Sequence, residues 1–444
     1  MEIATIILLL LIVGNFVVLT KGWLETSVGM TLVMLLSLLL VGPTEAHHAL
    51  REGFAGFASI FVLFTAIAVP SHQLARSDLL NKAGTNLGEW IGNKARGRNL
   101  LERITKSNID QIHLVVASSM LMTFFFAGVL HNTTSILISA AIITVLCKSY
   151  KIPTIPVLSG ALVASNLGGF STRWGDTPNI VEAQVWGLTH ADFFGQIMWV
   201  NLGLIFFLII LINWLVRRTI KKEGSKVPSE FELTYSMIEF RTVKNNIKID
   251  QRLALIGFVG LMIAVVIPLF FPAYELLLAG SAIVFCILMD YPKHRNHALF
   301  TLGINTYANL FSIFVIAQVM AYSSIGIGSQ LEHLLEASNA SVPLIIIISY
   351  FGTLLTEAAS WATAAAPIVH SVDQSTKSAW ALGAGICAGS SSLITAATAG
   401  IILLSETKDN ELKDRMTFGK YVPVGIGFSA FMVLYYVIVL SLFL

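Results

Sequence analysis

Four short stretches carry ion-binding residue types where the surrounding chain is almost wholly apolar. They are LHNTTS (Leu130 to Ser135), SNLGGFSTRWGDTPN (Ser165 to Asn179), LTEAAS (Leu355 to Ser360) and AGSSSLITAATAG (Ala388 to Gly400). Asn132, Thr133 and Thr134 in the first, and Ser165, Asn166, Gly168, Gly169 and Thr172 in the second, offer amide, hydroxyl or backbone oxygens. Ser360, Thr363, Ser390, Ser391, Ser392 and Thr395 do the same in and beside the other two. Hard oxygen ligands suit sodium, and glycine lets a backbone carbonyl approach an ion with no side chain in the way. A single Ser or Thr in a helix more often bonds the preceding turn, so the argument rests on their clustering.

The same stretches hold ionisable groups, which are expensive at membrane depth and functional by default. His131, Asp176 and Glu357 are candidates to carry a proton, His131 because imidazole changes charge near physiological pH. Arg173 is the only Lys or Arg inside a long apolar segment. It has two readings. Either it holds an anionic substrate, with Asn132, Thr133, Thr134, Ser390, Ser391 and Ser392 around it and helix N-termini adding positive potential, or it is a structural counter-ion. The anions available for that second role are Asp176 and Glu357.

The elements that position these groups follow from composition. With 444 residues, 55% of them hydrophobic, 12% charged and a mean hydropathy of +0.76, the chain has more apolar surface than a soluble core could hide. It is a polytopic membrane protein. Cys147, Cys286 and Cys387 lie far apart in or beside apolar segments, which suggests packing and neither disulfides nor a metal cluster. The first apolar run follows no basic segment and precedes no small-residue cleavage site, so it reads as a retained helix.

Ten crossings are expected, at 3–20, 24–42, 52–75, 153–190, 196–216, 252–270, 273–292, 298–323, 378–405 and 418–443. The stretches 112–149 and 342–370 are too long for one helix and have polar centres, as re-entrant hairpins would. With both termini outside, segments 76–111 and 217–251 are cytoplasmic. Every one of the 28 Lys and Arg residues except Arg51, Arg173 and Lys377 then falls on the inner side or at its edge, as the positive-inside rule requires. Segment 76–111 reads as an interfacial amphipathic helix bracing the first hairpin, and 217–251 as a linker near lipid headgroups.

Residues 1–216 and 252–444 repeat one order of elements. Each half crosses an odd number of times, so the second is inserted upside down. The expected fold is therefore an all-α polytopic membrane protein of two inverted-topology repeats, each with five crossings, one of them a broken helix, plus a re-entrant hairpin. Hairpin 112–149 and broken helix 153–190 belong to the first repeat; hairpin 342–370 and broken helix 378–405 belong to the second. Paired broken helices in inverted repeats place substrate and coupling ions where the breaks meet.

The polar tip followed by S-N-L-G-G-F-S-T-R-W-G-D-T-P-N, with the later A-G-S-S-S-L-I-T-A-A-T-A-G, resembles the ion transporter superfamily. That group includes arsenite permeases, citrate and dicarboxylate carriers, sodium/proton antiporters and the melanosomal P protein. The resemblance spans both halves. It departs from the common pattern at His131, where many relatives have aspartate, and at Arg173. It implies an elevator-type or rocking secondary transporter whose tips and breaks form the cation and substrate sites.

The expected function is alternating-access transport of a small anion, a carboxylate or oxyanion, coupled to sodium or protons. The alternative is a cation/proton antiporter in which Asp176 and Glu357 bind the cation and Arg173 only neutralises charge. A channel would use similar re-entrant segments, but no gate or filter stands out. No phosphate loop, metal-ligand spacing or nucleophile motif suggests an enzyme. No cofactor is expected beyond bound sodium ions. The expected partners are a small-molecule or ion substrate and the lipid of the cell (inner) membrane, with no nucleic acid; a homodimer remains open.

Overall fold

The computed structural model describes residues 3–20, 24, 26–79, 82–83, 85–86, 89–90, 107–223, 247–295, 304–322, 324, 327–394, 396–397, 399–400, 403 and 418–442. Most of the expected interfacial segment 76–111 and linker 217–251, and Thr395 in the second break, lie outside them. Among the described residues the chain is helical and contains no strand. Among the described residues four helices are long and apolar enough, by length and composition, to cross a membrane, and further apolar helices are shorter. Large apolar side chains lie bare along the outside, among them Leu39, Trp199 and Phe270. Lipid, which has no polar partners to offer, would cover such a surface.

The first half begins with α1 (Ile3–Thr20), α2 (Thr26–Leu40) and α3 (Pro43–Arg76). The last starts nine residues before the expected crossing 52–75, because Pro43 sits in its first turn, where a missing N–H costs nothing. The hairpin is α4 (Ser107–Leu130) and α5 (Asn132–Ser149), with only His131 between them. The broken crossing is α6 (Thr154–Phe170) and α7 (Thr177–Trp186), followed by α8 (Met198–Glu223). A π turn at Phe193–Ile197 leads into α8. It places Phe193 on the Trp380 ring and Gln196 where its side-chain oxygen accepts from the Trp380 Nε1 at 2.7 Å.

The second half repeats this order. It comprises α9 (Gln251–Leu261, continued by Met262–Val266 and Ile267–Phe270), α10 (Glu275–Met289) and α11 (Ile304–Tyr322). A short α12 (Gly328–Ala337) precedes the hairpin α13 (Val342–Thr356) and α14 (Ala358–Val372). Then come α15 (Thr376–Ser392), which ends at the second break, and α16 (Phe418–Leu442). Packing repeats too. In the first half α6 packs on both hairpin arms and on α8; in the second, α15 packs on both hairpin arms and on α16.

The helices form two groups. One is α2, α3, α9, α10 and α11, packed on α3; the other holds both hairpins, both broken helices, α8 and α16. Within the first group α9 lies very close to α3, because Cβ atoms on Gly257 and Gly260 would run into Pro70 and Leu74 or Cys286. A polar clamp closes the same group: Arg76 Nη1 meets Asp290 Oδ2 at 3.0 Å, and Gln73 Nε2 donates to the Cys286 carbonyl at 2.9 Å.

The end of the linker is fastened outside the apolar segments. Asp250 caps α9, its Oδ1 accepting from the Leu253 N–H at 3.1 Å, and its Oδ2 accepts from the Tyr291 hydroxyl at 2.9 Å. The Leu253 N–H, helped by Tyr291, holds the Asp250 carboxyl below the ordinary carboxylate range. A folded-state value below the unfolded one means stability present above the unfolded value and lost as pH falls through the folded one. Asp250→Ala is therefore expected to cost about 1 kcal/mol near neutral pH, the typical worth of an N-cap. The cost should shrink below about pH 4, where the unfolded carboxyl takes up its proton, in thermal unfolding of purified protein followed across pH.

Candidate transport site

The site is built where the two tips meet the two breaks. Each tip is a single non-glycine residue with left-handed backbone, His131 at φ 69° and Glu357 at φ 89°. Such a conformation costs of order 1–3 kcal/mol and persists where the surrounding structure enforces it. Behind each tip the next N–H reaches the opposing break. Asn132 N donates to the Gly175 carbonyl at 2.8 Å, and Ala358 N donates to the Ala396 carbonyl at 3.2 Å. The two halves thus make the same exception in the same way.

The first break is held open by its own sequence. Asp176 caps α7, accepting from the Thr177 N–H at 2.8 Å, with Pro178 in the first turn. Asn179 donates to the carbonyls of Gly169 and Thr172, both at 2.7 Å. The same two carbonyls also accept from Thr172 N at 3.4 Å and Gly175 N at 3.3 Å, so the turn is held by side chain and backbone together. A Cβ on Gly168 would collide with the Phe124 carbonyl, and one on Gly175 with the Gly169 carbonyl, so both glycines are required by close approach. Thr172 Oγ1 donates to the Gly128 carbonyl at 2.8 Å, and Ser165 Oγ to the Asn132 carbonyl at 3.1 Å. The Asn132 side chain also hydrogen-bonds Asp176.

The halves meet across the centre. Asn166 Nδ2 donates to Ser391 Oγ at 3.2 Å, bringing the first break onto the second. Glu357 caps α14, its Oε2 accepting from Ala359 N at 3.0 Å and Ser360 N at 3.4 Å, and lies within electrostatic reach of Asp176. The N-termini of α5, α7 and α14 are thereby gathered around one region, each adding positive potential. Three buried oxygens there, Asn132 Oδ1, Asn166 Oδ1 and Ser360 Oγ, have no hydrogen-bond partner among the described residues. They come from the first tip, the first break and the second tip. Buried polar atoms are nearly always paired, so each of these three oxygens has capacity to accept a further ligand.

Other expected site residues are engaged elsewhere. Thr133 Oγ1 lies 3.1 Å from His131 Nδ1 and Thr134 is half-buried on α5. Thr363 Oγ1 donates to the Ala359 carbonyl at 2.8 Å and Ser390 Oγ to the Cys387 carbonyl at 2.9 Å, each bonding its own helix. Ser392 joins a hydroxyl cluster with Tyr350 at 2.9 Å and Ser429 at 2.5 Å. The carbonyls of Gly168 and Gly169 accept from Ser171 N at 3.1 Å and from Thr172 N at 3.4 Å.

Arg173 requires a correction. Its ion pair among the described residues is with Glu275, an anion the sequence reading did not name: its Nη2 lies 2.8 Å from Glu275 Oε2, in the first turn of α10. The two side chains are 15% and 20% exposed. Arg173 therefore points out of the break toward the other helix group, and its neighbour Trp174 lies against the His190 ring, tilted at 58° with centroids 4.5 Å apart.

Several supporting residues carried no signal in the sequence beyond being polar groups in largely apolar helices. Asn201 on α8 donates to the Leu167 carbonyl at 3.2 Å and to Ser171 Oγ at 3.0 Å, and accepts from the Tyr436 hydroxyl at 2.7 Å. Tyr421 donates its hydroxyl to the Ser391 carbonyl at 2.6 Å. Tyr421→Phe should leave that buried carbonyl without this donor and lower stability by about 1 kcal/mol, readable as a lower midpoint in thermal unfolding. Glu182 on α7 is wholly buried and lies within electrostatic reach of Asp176.

A family model described as "Citrate transporter" matches residues 6–400. Among curated proteins, an uncharacterized transporter of Mycobacterium tuberculosis H37Rv is 30% identical over 113 residues, covering 26% of each chain. A second from the same strain is 36% identical over 104 residues, covering 23% of this chain and 21% of its own. The magnetosome protein MamN of Paramagnetospirillum magneticum is 25% identical over 220 residues, 49% of this chain and 45% of that one. The chain thus spans less than half the length of these relatives. Among solved structures, the YdaH transporter of Alcanivorax borkumensis has the same fold, at a TM-score of 0.50 and 14% identity over 88% of this chain and 86% of that one. With two tips and two breaks at its centre, and a family model covering most of its length, the chain belongs to the citrate transporter family of membrane transporters.

Proposed function

We propose that the protein is a secondary active transporter that moves a small carboxylate or oxyanion by alternating access, coupled to sodium or protons. The observation that carries this reading is the set of unpartnered buried oxygens, Asn132 Oδ1, Asn166 Oδ1 and Ser360 Oγ, where tips and breaks meet. Asp176 and Glu357 lie beside them, and the guanidinium in the break is already neutralised by Glu275. An oxygen-rich, acidic pocket receives a cation or proton first. The bound cation, with the gathered helix N-termini, then supplies the positive charge that an anion needs. Coupling follows directly: without the cation the anion meets only carboxylates.

The engagement of Arg173 by Glu275 also supports a second reading, cation/proton antiport, in which the same acidic groups bind the cation and no anion enters. Ligand-induced thermal stabilisation separates the two. A ligand present at 100 times its Kd stabilises by about 2.7 kcal/mol. Under the first reading sodium or acid raises the unfolding midpoint, citrate raises it further only when one of them is present, and Asn166→Ala loses both shifts. A sodium shift with no response to any carboxylate or oxyanion would replace the first reading by the second.

A further inference from the structure

Glu182 lies on the second turn of α7, about 9 Å along the axis from the Asp176 cap at 1.5 Å rise per residue. None of its side chain is exposed, and neither carboxyl oxygen has a hydrogen-bond partner among the described residues. The carboxyl packs close against α15: a Cβ on Gly383 would lie 2.6 Å from Glu182 Oε2 and would also run into the Phe170 ring. No ion pair engages it among the described residues, whereas Arg173 and Arg76 are matched to Glu275 and Asp290. An ionised carboxylate in that position would carry a desolvation cost that nothing offsets, while a neutral acid would carry far less. A glutamate kept there for packing alone would be better replaced by an apolar residue of similar volume.

We propose that Glu182 is a proton-binding residue of the transport cycle, holding a proton in the conformation described here and releasing it to water when α7 moves away from α15. The carboxyl gains one proton from water on one side of the membrane and returns it to water on the other; no other reactant takes part. This deepens the transporter reading above and rests on it. The elements packed on α7 are α3, α14 and α15. The titratable or charged residues on or capping these elements include His72, Glu357, His370, Lys377 and Cys387. Asp176 and Cys387 are within electrostatic reach of Glu182, whereas Glu357 caps α14 and His370 lies against Trp186. Asp176 and Glu182 carry like charges when ionised, so loading one with a cation eases ionisation of the other. Proton release from Glu182 is thereby tied to ion binding at the break.

The test uses the full chain in proteoliposomes, with two readouts. Infrared difference spectra over a pH titration should show a protonated-carboxyl stretching band that Glu182→Gln removes. With labelled citrate as the probe, uptake driven by a pH gradient should fall at least tenfold relative to citrate counterflow in Glu182→Gln, and counterflow should lose its pH dependence; Glu182→Asp should restore both in part. The proposal is overturned if Glu182→Gln keeps the band, if it keeps wild-type pH-driven uptake, or if it loses counterflow equally and Glu182→Asp rescues neither. Wild-type vesicles without any citrate flux would count against the transporter reading for this anion, and the infrared band would still decide whether Glu182 binds the proton.

Discussion

Asp176→Asn is expected to lower gradient-driven transport at least about 100-fold, equivalent to about 2.7 kcal/mol in the barrier, in a protein that still folds. Asparagine is as good an N-cap as aspartate, so the bond from the Thr177 N–H and the start of α7 are retained. Its amide can also still bond the Asn132 side chain, which in the native protein bonds the carboxylate. What disappears is the charge at the meeting point of the first tip and the first break, which under the proposed function holds the coupling cation or proton. Initial uptake rates and circular dichroism on the same preparation check both halves of this expectation. Unchanged uptake would remove Asp176 from the coupling site.

The second large effect concerns the pair that joins the two helix groups. Glu275→Ala leaves the Arg173 guanidinium beside the bilayer interior with no counter-charge. Removing one partner of a buried pair costs about 3–5 kcal/mol; because these side chains are 15% and 20% exposed, about 2–3 kcal/mol is expected. Replacing both residues together, as Arg173→Met with Glu275→Leu, should cost less than Glu275→Ala alone, since no orphaned charge remains. A double-mutant cycle by thermal unfolding measures this directly. A double variant less stable than the single one would mean that Arg173 and Glu275 act independently.

The central architecture was legible because polar residues in an apolar chain stand out. HNTTS and LTEAAS mark the tips, and the glycine-rich run ending at Asp176 marks the first interruption. These features involve only neighbours in sequence, so their physical cost is visible locally. Glu275 was not legible as the partner of Arg173, because it sits in the first turn of α10, where an acidic residue is already favoured by the helix dipole. Its reach to residue 173 is a fact of tertiary packing. Asn201, Tyr421 and Tyr436 brace the breaks from behind, yet each sits on a largely apolar helix with no neighbouring motif to mark it. Glu182 follows the motif by only three residues after Asn179, and its isolation becomes apparent only when Gly383 and Phe170 close around it.

The serines and threonines expected as ligands divide the same way. Ser391 and Asn166 meet across the halves at 3.2 Å, as the pairing of the two breaks implied. Thr363, Ser390 and Ser392 instead spend their hydroxyls on their own helices or on Tyr350 and Ser429. The commoner fate of a helical hydroxyl, a bond to the preceding turn, won at those positions.

The most direct test of the account is citrate uptake into proteoliposomes under a sodium gradient alone and a pH gradient alone, with sodium and proton fluxes followed in parallel. The account predicts that at least one inward gradient drives citrate accumulation, that the cation enters only when citrate is present, and that Asp176→Asn abolishes both fluxes. Sodium exchanging for protons at full rate with no anion present would contradict it.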